Sequence, residues 1–385
     1  MSEMIYFDNA ATSWPKPDVV FKSMQYFLEK IGGSPGRSGH RMSIAASRAI
    51  EEVRESIGKL FNFSNLSRII FTKNITEAIN TCLFGLLVPG DNVITTSIEH
   101  NSVMRPLRYL ESRGLDLTIL KCSYEGLLNV DEIQKNIKSN TKLIVLTHAS
   151  NVIGTILPIK EVASLALKSN IPLLIDCAQT AGSLPIDINL DEYPNCIISF
   201  TGHKSLFGPT GTGGMCVGDA IDLDPLIYGG TGSKSDKDTQ PFFLPDKFES
   251  GTINAVGLVG LKAGVDFIIE NGVDEIRKHE EELLNFFING VSEIKDIVIY
   301  GTMNPTKQAG LISFNIKKHS PSEIGFFLDH EYSIMCRIGL HCNPNAHKTI
   351  GTFPEGTIRF GFSYFNTITQ VKKSIIALEK LCKEL

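Results

Sequence analysis

Lys204 and Asp176 are the two side chains in this sequence best placed to do chemistry together. Each stands where an apolar run stops. Residues 196–200 read as a buried strand, and Lys204 follows just past its end, beside His203. The next stretch holds Gly208, Pro209, Gly211, Gly213 and Gly214 and has too little apolar surface to be a core element. Residues 171–176 form a similar strand that closes on Asp176. Polar loops at strand ends are where α/β proteins keep their sites. A lysine amine and a carboxylate on neighbouring strand ends suit pyridoxal 5'-phosphate. The amine condenses with the cofactor aldehyde, and the carboxylate keeps the pyridine nitrogen protonated.

Other side chains stand at comparable places. Thr76 lies near the first turn of a helix, where free N–H groups hold phosphate, although an ordinary cap explains a lone threonine equally well. His100 follows the strand 92–96, and Asn151 follows the strand 142–147. An imidazole can stack on a pyridine ring and move protons; a loop histidine satisfied by its neighbours is the plainer reading. Arg359 sits within the strand 357–362, and its two-pronged guanidinium suits a planar carboxylate, unless it is a structural arginine. Cys342 lies between His341 and Asn343-Pro344, outside any apolar run. A loop thiol beside a histidine can attack as a thiolate, or be merely accessible.

These residues need a scaffold of alternating strands and helices. Strands are expected at 69–71, 92–96, 117–120, 142–147, 171–176 and 196–200, with 215–217 returning as an edge strand. Helices are expected at 18–31, 43–60, 103–113, 131–138 and 160–168, and another is entered within 73–80 and runs to about 87. Pro17 at the foot of the first costs nothing there. The pattern implies a mostly parallel sheet with helices on both faces and right-handed crossovers. No GxGxxG follows the first strand, which weakens a nucleotide-binding reading. The glycine loop from Gly32 to Arg41, which includes Arg37 and His40, is either a solvated connection or a cover over a cofactor mouth. Composition shifts after residue 220, with a flexible stretch at 229–236. Beyond it, helices are expected at 255–269, 274–289, 321–329 and 368–383, and strands at 297–300, 310–316, 334–337 and 357–362. Residues 339–344 break the pattern.

A length of 385 residues fits one large domain plus a smaller one. Apolar residues make up 42% and charged residues 21%, the balance of an ordinary globular protein. A net charge of −5 with dispersed basic residues makes no case for nucleic acid or an acidic membrane as partner. The 8 cysteines form no CxxC pair, and several lie in apolar runs as buried free thiols. No metal site is expected. No apolar run reaches membrane-spanning length, and the first residues carry no basic segment before an apolar core. A reducing compartment, the cytoplasm, is expected.

With these residues in view, the chain resembles the class V aminotransferase-like, fold-type I pyridoxal phosphate enzymes. It is most similar to their cysteine desulfurase and selenocysteine lyase branch, within a subgroup known only as cysteine desulfurase-like. The likeness runs from residues 8–12 to Arg359 and residues 366–367, and rests most on His203-Lys204 joined with Asp176-Cys-Ala-Gln179. It implies a large domain, residues 17–255, with a mostly parallel seven-stranded sheet between helices. A smaller α+β domain, residues 256–385, opens on a long linking helix, and residues 1–16 join it. It implies that Lys204 carries the cofactor and Asp176 pairs with its pyridine nitrogen. His100 stacks on the ring, with Gln179 and Asn151 near the ring edge. Thr76, Thr201 and His203 hold the phosphate, helped by the backbone at Ile75 and Thr76. Thr252 reaches the phosphate of a partner subunit in a homodimer. Arg359 clamps the substrate carboxylate with Asn9 beside it, and Cys342 is the persulfide-forming cysteine. The short stretch 337–342 resembles the short-loop variant, which often needs a helper protein. Residues 343–351 depart from the best-known short-loop members, and His347 there has no assigned role.

The implied reaction takes L-cysteine to L-alanine and leaves the sulfur on Cys342 for an acceptor protein. Selenocysteine is the alternative substrate. Transamination, epimerisation or β-lyase chemistry would keep Lys204, Asp176 and Arg359 but make Cys342 dispensable. A sulfur-transfer scaffold is the non-enzymatic alternative.

Overall fold

The structure is a computed structural model that describes residues 4–36, 39–233 and 236–384. Arg37 of the glycine loop, residues 234 and 235 of the 229–236 stretch, and the first three residues lie outside the described residues. The chain opens with strand β1 (Ile5–Tyr6) and helices α1 (Asp18–Tyr26) and α2 (Arg41–Leu60). The helix expected over 18–31 does not stay α-helical: Phe27–Ile31 widens into a π-helix, which ends where the Gly32 N–H reaches the Phe27 carbonyl at 2.8 Å. The wider turn leaves Phe27 buried and Leu28 exposed.

Strands and helices then alternate. They are β2 (Ile69–Thr72), α3 (Ile75–Leu86), β3 (Asn92–Thr96), α4 (Asn101–Glu111), β4 (Asp116–Leu120) and α5 (Val130–Asn136). There follow β5 (Thr141–Thr147), α6 (Ile159–Lys168), β6 (Leu173–Asp176), β7 (Cys196–Thr201) and β8 (Gly213–Val217). They make a seven-stranded sheet in the order β2-β8-β7-β6-β5-β3-β4. The strands from β7 to β4 run parallel, and β8 is antiparallel to both its neighbours. Side-chain alternation splits the core between the two faces: Ile144 and Leu146 join one cluster, Leu143 and Val145 the other. Burial on both faces explains why these strands read as continuous apolar runs.

The expected edge position of 215–217 is overturned, because β2 adds outside β8 and closes that side. The glycines that lead into β8 follow from this interior place. A Cβ on Gly214 would stand 2.5 Å from the Ile70 carbonyl oxygen and 2.7 Å from the Phe200 ring. The glycine run that looked like a loop is therefore partly a strand that only glycine can fill.

Helix α7 (Ala255–Asn271) packs on α1 and α2 and leads into α8 (Val273–Val291). The smaller C-terminal α+β domain follows with β9 (Ile297–Tyr300), β10 (Leu311–Ile316), α9 (Pro321–Tyr332), β11 (Ile334–Met335) and β12 (Arg337–Gly339). It ends with α10 (Pro344–Thr349), β13 (Thr357–Gly361) and α11 (Ile368–Glu384). The strand expected at 334–337 is split at Cys336. Its first half pairs with β1 in parallel, and its second half joins the antiparallel sheet β12-β13-β10-β9. Helix α10 starts at Pro344, the last residue of the stretch that broke the pattern, and fills a segment for which no element was expected. An aromatic cluster centres this second core, with Phe360 5.0 Å from both Phe7 and Phe314 between ring centroids. Phe7 thus fastens the N-terminal segment to the C-terminal sheet.

Gly214→Val should lower stability by about 1–3 kcal/mol, because the new side chain overpacks an interior strand. Gly230→Ala, where a Cβ meets nothing within 4 Å, should stay within about 0.5 kcal/mol of the wild type. Urea unfolding measures both.

Candidate active site

The C-terminal ends of the parallel strands collect the expected polar residues. Lys204 follows β7, Asp176 ends β6, Asn151 follows β5 and His100 follows β3. The connection from β3 turns one way along the sheet and that from β5 turns the other, so His100 and Asn151 flank the point where α/β sheets open a crevice. Lys204 is half-buried. Burial pushes its amine down to about 8, with Asp176 opposing and Arg359 and Arg337 adding to the fall. Burial likewise raises the Asp176 carboxyl, against the Ala178 N–H at 2.9 Å and the charge of Lys204. The loop is anchored from the N-terminal segment: Thr12 Oγ1 at 2.9 Å, the Ser13 N–H at 3.0 Å and Lys16 Nζ at 3.2 Å all donate to the His203 carbonyl. No apolar period marks this anchor, and sequence reasoning missed it.

His100 caps α4. Its Nδ1 accepts from the Ser102 N–H at 3.0 Å and lies 2.9 Å from the Ser102 hydroxyl. Burial pushes its imidazole down to about 3, helped by the charges of Lys204, Arg337 and Arg359, so the ring is neutral at physiological pH. Just before it, Glu99 is fully buried. Its Oε1 accepts from Thr96 Oγ1 at 2.6 Å and from the Thr147 N–H at 3.1 Å, while Oε2 has no partner. Burial pushes this carboxyl up to about 8 despite those two donors, with a further push from Asp176.

Arg359 lies in β13 at 1% exposure. Its Nη1 donates to the Asn151 carbonyl at 2.7 Å and its Nη2 meets Asp8 Oδ1 at 3.1 Å, while Nε is buried without a partner. Asp8, not Asn9, is therefore the residue in contact with this arginine. Asn9 spends its amide on the Gly361 carbonyl at 2.9 Å and on Asn366 Oδ1 at 3.1 Å. The likeness begins at Asp8 but gave it no role, and 351 positions separate it from Arg359. Asn151 donates to the His341 carbonyl at 2.7 Å and accepts from Asn343 Nδ2 at 2.9 Å, and Gln179 donates to the Ala10 carbonyl at 3.1 Å.

Cys342 is exposed, on a turn where both His341 and Cys342 hold positive φ, 48° and 57°. Its carbonyl accepts from the Asn101 N–H at 3.0 Å, and Arg337 Nη2 lies 3.5 Å from its sulfur. Five of the other cysteines are buried and none forms a disulfide among the described residues. His341 and His347 lie beneath the turn with ring centroids 5.4 Å apart. His341 Nε2 is 2.9 Å from Thr357 Oγ1, and His347 Nδ1 is 2.7 Å from Thr352 Oγ1. Burial pushes His347 down to about 4. The histidine without a role in the sequence is thus a buried neutral prop under the cysteine turn.

The donor set fits pyridoxal phosphate. Thr201 Oγ1 and His203 Nδ1 are buried and without partners. Ile75 and Thr76 stand in the first turn of the 12-residue helix α3, whose leading N–H groups have no partner within the helix. Thr252 is exposed and lines a cleft with Thr72, Lys73 and Glu77 of its own chain. A buried carboxylate and an amine of lowered basicity complete the set.

Glu99 sets a pH dependence. An unfolded glutamate releases its proton near 4.5, whereas the folded chain keeps this one to about 8. Between those values the folded state binds more protons, so stability falls as pH rises. Glu99→Gln removes this slope. Its unfolding free energy relative to wild type should climb from about pH 4.5 to about pH 8 and then level off. Denaturant unfolding across that range checks it, and a flat difference would show that Glu99 titrates normally.

Residues 5–373 match the Aminotransferase class-V family. A probable cysteine desulfurase of Pyrococcus abyssi is 34% identical, over 100% of this chain and 95% of that protein. A cysteine desulfurase of Yersinia pseudotuberculosis is 30% identical, over 99% and 94%. The solved apo structure of a cysteine desulfurase from Thermococcus onnurineus NA1 superposes with a TM-score of 0.92 at 32% identity, over 99% of this chain and 95% of that one. The fold is fold type I, the architecture of pyridoxal phosphate enzymes. With these likenesses along its whole length, and with Lys204, Asp176 and Arg359 brought to one crevice, the chain belongs to the class V aminotransferase family, in its cysteine desulfurase-like branch.

Proposed function

We propose that this protein is a homodimeric cysteine desulfurase. It removes sulfur from L-cysteine, yields L-alanine and leaves the sulfur as a persulfide on Cys342, with pyridoxal 5'-phosphate carried by Lys204. One observation carries the reading: Cys342 is exposed on a turn fastened to the crevice, with Asn151 donating to the His341 carbonyl at 2.7 Å and the Asn101 N–H donating to the Cys342 carbonyl at 3.0 Å. Bound here, pyridoxal phosphate supplies an electron sink that acidifies the substrate Cα–H. Asp176 would hold the pyridine nitrogen, His100 would lie against the ring, and Gln179 and Asn151 would stand near its edge. Thr201, His203 and the first turn of α3 at Ile75 and Thr76 would take the phosphate. Thr252, exposed on its own chain, serves the partner's phosphate.

Arg359 takes the substrate carboxylate. Two of its nitrogens are held by Asn151 and Asp8, and the unpartnered Nε–H remains for the substrate, with Asn9 bracing the segment beside it. Lys204, with its amine near 8, exchanges a proton with the substrate Cα close to neutral pH. The Cys342 sulfur attacks the substrate sulfur. An S–S bond forms and the C–S bond breaks, its electron pair staying with the carbon, which takes a proton and becomes the methyl of alanine. The sulfur is oxidised by giving up that electron pair and the carbon is reduced by keeping it, so no outside oxidant enters. L-Selenocysteine would place selenium at the same point. The persulfide then passes to an acceptor protein in the cytoplasm. Residues 17–255 form the cofactor-binding domain and residues 256–385 the smaller domain, joined by residues 1–16.

Purified protein given L-cysteine and a thiol should make sulfide and alanine in equal amounts, with Cys342→Ala losing sulfide by roughly a hundredfold or more. Lys204→Ala should lose the absorbance of the lysine-linked cofactor. Alanine without sulfide or persulfide would sink the desulfurase reading in favour of another class V reaction. Equal sulfide from Cys342→Ala would remove Cys342 from it, and no turnover at all would favour the scaffold.

A further inference from the structure

Arg337 on β12 lies directly opposite Arg359 on β13. Opposed residues of antiparallel strands share one face, and like charges in that position cost stability. Two arginines nevertheless share this face. Asp8 compensates one of them, its Oδ1 lying 3.1 Å from Arg359. Among the described residues Arg337 forms no salt bridge; its side chain instead places Nη2 3.5 Å from the Cys342 sulfur. Its charge acts on Lys204, Asp8, His100 and Arg359, so it stands at the centre of the site and not at its margin. Burial keeps His100 and His341 neutral, so neither supplies the charge that an anion here would need.

We propose that Arg337 is a catalytic residue that holds sulfur as an anion. It binds the Cys342 thiolate before the attack and the terminal sulfur of the Cys342 persulfide after it. The inference rests on the desulfurase reading for its chemistry and on the Arg337–Cys342 contact for its geometry. The two arginines divide the work: Arg359 takes the carboxylate and Arg337 the sulfur. This explains why a like-charge pair persists across two strands with one carboxylate between them, since the missing negative charge arrives on sulfur. A persulfide is more acidic than its parent thiol, so its terminal sulfur is charged at neutral pH and needs a partner. A charge-assisted hydrogen bond from guanidinium supplies one. In the transfer step the acceptor thiolate attacks the terminal sulfur. The S–S bond breaks, and its electron pair returns to the Cys342 sulfur, again facing Arg337. With a dithiol acceptor, the second thiol displaces sulfide and closes a disulfide, which balances the electrons.

The test is the reactivity of Cys342 itself. Purified protein is treated with iodoacetamide at neutral pH, and modification of the Cys342 peptide is followed by mass spectrometry. Arg337→Gln should slow alkylation by roughly tenfold or more, and Arg337→Lys should recover much of the wild-type rate, because a cation remains near the sulfur. Added salt should bring the wild-type rate toward that of Arg337→Gln, since this contact is exposed. A wild-type alkylation rate in Arg337→Gln would overturn the proposal. A residue that merely packs the turn would not be rescued by lysine or respond to salt. The same proteins are then given L-cysteine. Absent alanine in the wild type, with the alkylation difference intact, would strike the desulfurase reading and leave the hold of Arg337 on sulfur. Full turnover in the wild type with equal alkylation rates would strike Arg337 alone.

Discussion

A guanidinium buried inside a strand is the constraint on which the arrangement turns. Taking Arg359 out of water costs several kcal/mol unless its donors are met, and the chain meets them from distant parts. Asp8 comes from the N-terminal segment, and the Asn151 carbonyl comes from the loop after β5 in the large sheet domain. Three pieces of the chain must therefore assemble before this charge is tolerable. The aromatic contact of Phe7 with Phe360, adjacent to Arg359, fixes the same N-terminal segment by packing. The unpartnered Nε is the exception, and a buried donor left open is costly in a scaffold but useful in a site.

The surrounding electrostatics follow from burial more than from pairing. Lys204 and Asp176 are each pushed toward their neutral forms by desolvation, and each is pulled back by the other. Glu99 is pushed the same way behind His100, so a second negative charge near Asp176 is suppressed at neutral pH. His100, His203, His341 and His347 are all driven toward neutrality. What remains charged at the mouth is arginine, whose guanidinium resists deprotonation. The crevice thus sets an arginine rim over buried histidines held neutral and a Lys204–Asp176 pair shifted toward its neutral forms.

Much of this was legible in the sequence where signal is local. The strands of the large sheet and most helices follow from apolar runs and 3.6-residue periods, and Lys204 and Asp176 announce themselves at strand ends. What failed was non-local. Nothing in 215–217 tells that β2 would return to cover it, because strand order is set by packing and not by the strand's own residues. The split at Cys336 was hidden because both halves are apolar enough for one strand, and only their partners differ. Asp8, Glu99 and the anchor on the His203 carbonyl were illegible for the same reason: a polar side chain gives its role through what it meets.

The cysteine turn is held in a way that decides which partner must move. His341 and Cys342 occupy left-handed backbone that costs non-glycine residues about 1 kcal/mol each. Such a conformation persists only when its surroundings over-determine it. Here Asn151 takes the His341 carbonyl, the Asn101 N–H takes the Cys342 carbonyl, and Asn343 ties the next residue to the Ile98 carbonyl at 2.8 Å. The loops after β3 and β5, which carry His100 and Asn151, are the same ones that grip the turn. A displacement of the thiol would therefore disturb the loops that frame the crevice. A thiol so fixed, and exposed, stays at the crevice mouth unless those loops move with it.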